Sequence, residues 1–205
     1  MNDVTDLLII FTRNPELGKC KTRLASKIGN QPALDIYRFL LDHTVNITEQ
    51  LNVKKQVYYS EEIWLKDIWN EQRYEKKLQV GTHLGERMKN AFTNGFVNGY
   101  ERIIIIGSDM YDLSSEDIKN AFNILKKYNF VIGPAEDGGY YLMGMQQLKA
   151  ELFIEKDWGQ ATVLDDTLKD LVGENYALLE TRNDVDHYED IEDVDAFQPF
   201  IKHIK

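Results

Sequence analysis

The sequence predicts an α/β fold built on a largely parallel sheet, and three observations predict it. Leu7–Thr12 (LLIIFT) and Arg102–Gly107 (RIIIIG) are continuous apolar runs too short for helices. Runs of that kind read as strands buried on both faces, as parallel sheets require. Stretches with helical spacing lie between such runs, so that strands and helices alternate along the chain, the pattern of βαβ units.

Taken in order, Leu7–Thr12 is the first strand, and residues 13–20 (RNPELGKC) form a loop by their Pro and Gly. Helical patterns cover 21–29 and 31–51, and Val53–Ser60 is a second strand. Glu61–Glu71 predicts a helix with Ile63, Trp64 and Ile68 on its apolar side, followed by a short strand at Leu78–Val80. Residues 84–98 carry Leu84, Met88, Ala91 and Phe92 on one stripe, as an amphipathic helix does. After the strand 102–107, Ser114 and Asp117 have the spacing of a capping box, opening a helix that runs to about Tyr128. Strands are expected at Phe130–Gly133, Tyr140–Met145 and Tyr176–Leu179, and helices at 162–172 and 192–203. Neither a repeat nor a low-complexity linker interrupts the chain, so residues 1–205 are read as one domain.

Composition narrows the function classes. The formal charge of −10 argues against non-specific binding to nucleic acid or an anionic membrane. Cys20 is the lone cysteine, so no intrachain disulfide can form, which fits a reducing compartment. The start of the chain, Met1–Asp6, lacks a basic region, and Arg13 ends the first apolar run too early for a signal peptide or a membrane span. A cytoplasmic protein without membrane insertion is expected.

Several segments could carry chemistry. Four basic residues, Arg13, Lys19, Lys21 and Arg23, cluster between the first strand and a helix of this acidic chain. Ligands of α/β sheets bind at the carboxyl ends of strands, and a helix start supplies donors and positive potential for phosphate. Arg grips phosphate through paired hydrogen bonds, whereas Lys acts as a point charge. A solvated loop with scattered charges is the plain alternative; the spacing is not that of a Walker A loop. Gly107-Ser108-Asp109 puts a carboxylate after a buried strand, where Mg²⁺ or Mn²⁺ could meet a diphosphate; a turn Asp is the plain alternative. Asp137-Gly138-Gly139 predicts a tight hairpin, and Asp137 could also act as a base. The crowded acids from Asp184 to Asp190 could form a solvated cap cluster or contribute a second metal carboxylate, Asp186. Glu86 suits the first turn of a helix through the dipole alone, and Arg87 could reach a ligand.

These segments, in this order, resemble a family of small bacterial glycosyltransferase-like proteins with the GT-A nucleotide-diphospho-sugar transferase fold, some linked to arsenosugar biosynthesis. The resemblance rests on F-x-R-x-P-x-x-G-x-x-K-T-R-L (Phe11 to Leu24), L-G-E-R-M (Leu84 to Met88) and G-S-D (Gly107 to Asp109). It continues in G-P-A-x-D-G-G-Y-Y-L-x-G (Gly133 to Gly144), W-G (Trp158-Gly159) and D-x-D-x-x-E-D (Asp184 to Asp190). It implies a three-layer fold with a mixed, mostly parallel central sheet. It also implies a nucleotide phosphate site at Arg13, Gly18, Lys19, Lys21, Arg23, Gly107 and Ser108, with metal ligands Asp109 and Asp186. Glu86, Arg87, Asp137, Gly138, Gly139, Tyr140 and Trp158 would face the acceptor or sugar. This chain departs from the family pattern at His83, where Asp is usual, at Met110-Tyr111, where Cys-Pro is usual, and at Gln160-Ala161, which separate Trp158-Gly159 from Thr162.

The expected reaction is glycosyl transfer from a nucleotide sugar to a small-molecule acceptor, dependent on Mg²⁺ or Mn²⁺. Lys21 and Arg23 would stabilise the departing diphosphate, and Asp137 would take the acceptor proton. Two alternatives stand beside it. One is nucleotidyl transfer from an NTP with release of pyrophosphate, since Lys21-Thr22-Arg23-Leu24 also resembles guanylyltransferases that act on phospholactate. The other, suggested by the altered positions, is non-catalytic nucleotide binding.

Overall fold

A computed structural model describes residues 5–204. Residues 1–4, part of the Met1–Asp6 stretch that argues against a leader, and residue 205 lie outside the described residues. Among the described residues no helix is long and apolar enough to cross a membrane.

Among the described residues there are seven strands, β1 (Asp6–Thr12), β2 (Lys54–Tyr59), β3 (Glu75–Leu78), β4 (Arg102–Gly107), β5 (Phe130–Pro134), β6 (Tyr140–Met145) and β7 (Tyr176–Leu178), in the sheet order β3-β2-β1-β4-β6-β5-β7. β6 runs antiparallel to β4 and β5, while every other pairing is parallel. The sheet is therefore mixed and mostly parallel, as expected. The antiparallel pair β5–β6 is the hairpin that Asp137-Gly138-Gly139 predicts.

Alternate side chains of β1 and β4 point to opposite faces, and both faces are covered. Leu8, Ile10, Ile104 and Ile106 pack with Leu34, Tyr37 and Leu41 of helix α2 (Asn30–Thr48) and with Ile118 and Phe122 of helix α4 (Ser115–Ile124). Leu7, Ile9, Ile103 and Ile105 pack with Met88, Ala91 and Phe92 of helix α3 (Leu84–Val97). This explains why the two runs lack polar alternation. It also makes the three layers: helices, sheet, helices.

Helix α1 (Thr22–Ile28) follows the cationic loop, and α5 (Val163–Asp170) and α6 (Gln198–Ile201) complete the helices. Ser114 and Asp117 form the expected capping box, and α4 then ends at Ile124, short of Tyr128. The helix expected over Glu61–Glu71 is absent; that stretch is irregular. Asp67 anchors it instead, accepting from the Trp69 backbone (3.0 Å), Tyr59 Oη (2.5 Å) and Lys76 Nζ (2.8 Å). Such side-chain bonds to nearby backbone compete with helical pairing. The short strand lies at 75–78 rather than 78–80, and the last helix shrinks to Gln198–Ile201 after a 3-10 turn at 195–197. Pro199, in the first turn of α6, cannot donate to a helix already running through it, so the helix starts there.

From β1 the chain builds outward through β2 and β3 on one side, and β4 takes the other side. The loops after β1 and β4 therefore diverge above adjacent strands and leave a crevice at their carboxyl ends, where sheets of this kind bind ligands. Phe11 pairs with Gly107, so the two loops leave the sheet at the same height.

Candidate functional site

Two cavities open over that crevice and meet at Phe11, Leu84, Gly107 and Asp109, which line both. The first, of about 770 Å³, is charged. Arg13, Lys19, Lys21, Arg23 and Arg87 line it, with Ser108, Asp109 and Asp186.

Lys21 stands just before α1 in the left-handed backbone region, at φ 49° and ψ 46°. Its side chain is only 5% exposed, yet Nζ donates to Asp109 Oδ2 at 2.9 Å and lies 3.8 Å from Asp186 Oδ1. Arg23, 60% exposed, donates to Asp186 Oδ2 at 2.7 Å. Burial favours neutral Lys21, but the carboxylates of Asp109, Asp186 and Asp184 outweigh it and hold the ammonium pKa above its ordinary value. Burial likewise pushes Asp109 up; the Lys21 charge and hydrogen bond, with Arg13, overcome it and hold that carboxyl below its usual range. Both groups are thus kept charged. The seven-residue α1 is too short to add much dipole, so side-chain cations dominate this cavity.

Beneath them, hydroxyls tie the two loops together. Ser108 Oγ donates to Thr12 Oγ1 at 3.2 Å, and Tyr37 Oη lies 3.3 Å from Ser108 Oγ. The Arg13 backbone N–H donates to Tyr37 Oη at 2.9 Å. Tyr37 therefore fixes the origins of both ligand-facing loops from α2. Nothing marked it in the sequence beyond a place on a helical face.

The second cavity, of about 220 Å³, is walled mainly by Phe11, Met88, Ile105, Tyr140, Trp158 and Val163. Its polar groups include Asp109, Asp137 and Asp184, and among the described residues no Lys, Arg or His lines it. In the sequence Asp184 is only one member of an acidic cluster. Its pKa is pushed up to about 6, first by burial and then by the neighbouring charges of Asp109 and Asp137. Asp137 also accepts the Gly139 N–H at 2.8 Å, so the turn and the cavity wall share one residue. Among the described residues Tyr140 Oη finds only the thioether of Met88, at 3.8 Å.

Two glycines let the Trp158 strap close against this chamber. A Cβ at Gly85 would sit 2.4 Å from the Trp158 ring. At Gly138, whose φ is +86°, it would sit 2.1 Å from the Ala161 carbonyl oxygen.

The remaining residues singled out in the sequence are placed as follows. Glu86 turns back on Thr82, accepting from its N–H (2.7 Å) and Oγ1 (2.8 Å), while Arg87 faces the charged cavity. Gly18 takes φ +77° in the loop. Lys19 is paired to Glu16 at 3.0 Å and Glu61 at 3.5 Å. The departures from the family pattern also find places. His83 caps α3, its ring nitrogen accepting from Glu86 N–H at 3.4 Å. Met110 lines the apolar chamber, and Tyr111 stacks among Phe39, His43 and Phe197. Asp190 binds the backbone of Asp186 and His187, so part of the acidic cluster is turn scaffolding.

Among the described residues no cluster of three or more carboxylates, imidazoles or thiols could hold a metal ion by itself. Asp109 and Asp186 nevertheless converge on one cation, the Lys21 ammonium. Mg²⁺ needs only one or two carboxylates when substrate phosphates supply further oxygens. The donor set fits a divalent ion on those terms.

Residues 44–160 match the model of a family described as "Uncharacterized protein conserved in bacteria". No curated protein matches the sequence. Among solved structures, the chain is similar to a Desulfovibrio desulfuricans protein named a "putative nucleotide-diphospho-sugar transferase", at 28% identity and TM-score 0.84, covering 97% of this chain and 94% of that one. It shares its fold with the bifunctional IspDF of Campylobacter jejuni (12% identity, TM-score 0.59, 93% of this chain and 54% of that one). It also shares it with the 4-diphosphocytidyl-2C-methyl-D-erythritol synthase of Anaerococcus prevotii (9%, TM-score 0.58, 95% and 97%). The α/β fold is that of nucleotide-diphospho-sugar transferases and nucleotidyltransferases.

Proposed function

The chain belongs to the DUF2064 family of proteins conserved in bacteria, and we propose that it is a transferase moving a glycosyl group from a nucleotide sugar to a small acceptor that carries no phosphate. The observation that supports this is the contrast between the joined cavities: one is rich in cations, and the other has carboxylates and, among the described residues, no cation. The donor diphosphate suits Arg13, Lys21 and Arg23. A phosphorylated second substrate, which nucleotidyl transfer to a sugar phosphate would require, meets only like charge in the chamber.

In the proposed step the bond between the sugar anomeric carbon and the diphosphate oxygen breaks, and that oxygen keeps the electron pair. The acceptor hydroxyl oxygen bonds to the same carbon, and its proton passes to Asp137. Lys21 and Arg23 stabilise the leaving diphosphate as its charge develops. Asp109 and Asp186 would hold a Mg²⁺ or Mn²⁺ ion, which supplies further neutralisation of that charge. Arg13 orients the phosphates from a backbone held by Tyr37.

A panel of nucleotide sugars, assayed with and without Mn²⁺ for release of the nucleoside diphosphate, tests the proposal. Turnover is expected only with metal and is expected to fall about 10²–10³-fold in Asp109→Ala, with a smaller loss in Arg23→Ala. Unchanged turnover in both variants would overturn the mechanism. Pyrophosphate release from an NTP in place of nucleotide-sugar turnover would assign the chain to nucleotidyl transfer instead.

A further inference from the structure

We propose that the acceptor is an amphipathic alcohol, with its hydroxyl at the carboxylate border and an aliphatic or aromatic body in the chamber of Met88, Ile105, Tyr140, Trp158 and Val163. This rests on the reading of the neighbouring cavity as a donor phosphate site.

The polar groups of the chamber are gathered rather than spread. Asp109 stands on the border between the two cavities, and Asp184 lies close enough to both Asp109 and Asp137 for their charges to act on it. Beyond them the walls are mostly aromatic or aliphatic, with Gln160 the polar exception. Among the described residues the hydroxyl of Tyr140 has only a thioether partner, so it adds a single weakly paired polar atom to these walls. A polyol with hydroxyls on every side would leave those that face Phe11, Met88, Ile105 and Val163 unpaired, at about 1–3 kcal/mol each. A molecule with one polar end loses nothing there, and its apolar body gains by leaving water.

Charge selects further. An anionic group entering the chamber meets Asp137 and Asp184 and, among the described residues, no cation in the lining, the one charge on Lys21 being taken up by Asp109 on the border. Trp158 forms part of the wall and packs directly against Gly85. It is therefore the residue that determines how large a body is admitted.

Saturation-transfer NMR on the full chain tests this with benzyl alcohol, phenylacetate, glucose and glucose 1-phosphate, each before and after saturating inorganic pyrophosphate and Mn²⁺. Pyrophosphate should raise the Tm of the wild type and lose that effect in Arg13→Ala. If it does not, the donor-site reading fails, whatever the alcohols do. Benzyl alcohol should stay bound under saturating pyrophosphate, phenylacetate and glucose should give no signal, and glucose 1-phosphate should be displaced. Met88→Ala and Trp158→Ala, at residues that line the chamber but not the charged cavity, should each weaken benzyl alcohol about tenfold with the pyrophosphate shift retained. Glucose 1-phosphate persisting beside pyrophosphate, glucose binding as well as benzyl alcohol, or alcohol binding indifferent to both variants would overturn the inference.

Discussion

The charged cavity and the apolar chamber share four residues and differ in almost everything else. The charged cavity draws most of its cations from one stretch of chain, Arg13 to Arg23, and each has a carboxylate or a ligand-facing position to explain it. The chamber is assembled from β1, α3, β4, the β5–β6 hairpin, the Trp158 strap and the acidic loop, with one or a few residues from each. A site for phosphate needs concentrated charge, which short loops supply. A site that excludes water needs surface from many directions, which only tertiary folding supplies.

The largest expected effect separates the two chemically. Lys21→Met removes the buried ammonium that Asp109 and Asp186 share, so turnover should fall about 10²–10³-fold, read as kcat on a nucleotide sugar. Benzyl alcohol binding in the chamber should survive; its loss would mean that the cavities are one electrostatic unit rather than two.

A second substitution attacks the other side. Gly85→Ala places a methyl group 2.4 Å from the Trp158 ring, so the strap must shift. Overpacking of this kind costs about 1–3 kcal/mol, measurable by urea denaturation. Acceptor-dependent turnover should drop while the pyrophosphate-induced Tm shift stays at the wild-type value.

The smallest effect concerns the helix that borders both cavities. Hydrogen bonds from Thr82 hold the Glu86 carboxyl below its ordinary pKa. Its contribution to stability is therefore fully present above the unfolded-state value and fades as pH falls through the folded one. Glu86→Gln should lower Tm slightly at neutral pH and flatten the acid limb of the Tm profile, leaving both ligand sites unchanged. A wild-type-like acid limb in that variant would assign the bond no role in capping α3.

The same contrast explains how much could be read from the sequence. The β1 and β4 runs, the Asp-Gly-Gly hairpin and the Ser114–Asp117 capping box are local signals, and each appears where local physics puts it. The stretch at 61–71 misleads because its apolar spacing mimics a helix, while Asp67 ties it to Tyr59 and Lys76, partners not adjacent in sequence. Asp184 is hidden for a related reason: among the crowded acids, only the fold shows that it faces the chamber and Asp186 faces the cations. Tyr37 looks like ordinary core and becomes a positioning residue only because β1 and β4 are neighbours.

The left-handed backbone at Lys21 has a consequence for how this chain could be improved. A side chain with a Cβ gives up about 1–2 kcal/mol in that conformation, and a glycine there would recover it. Lys21→Gly would nevertheless strand Asp109 and Asp186 without their buried cation, a loss at least as large as the strain relieved, so selection for heat resistance and selection for turnover should both retain the lysine at that codon.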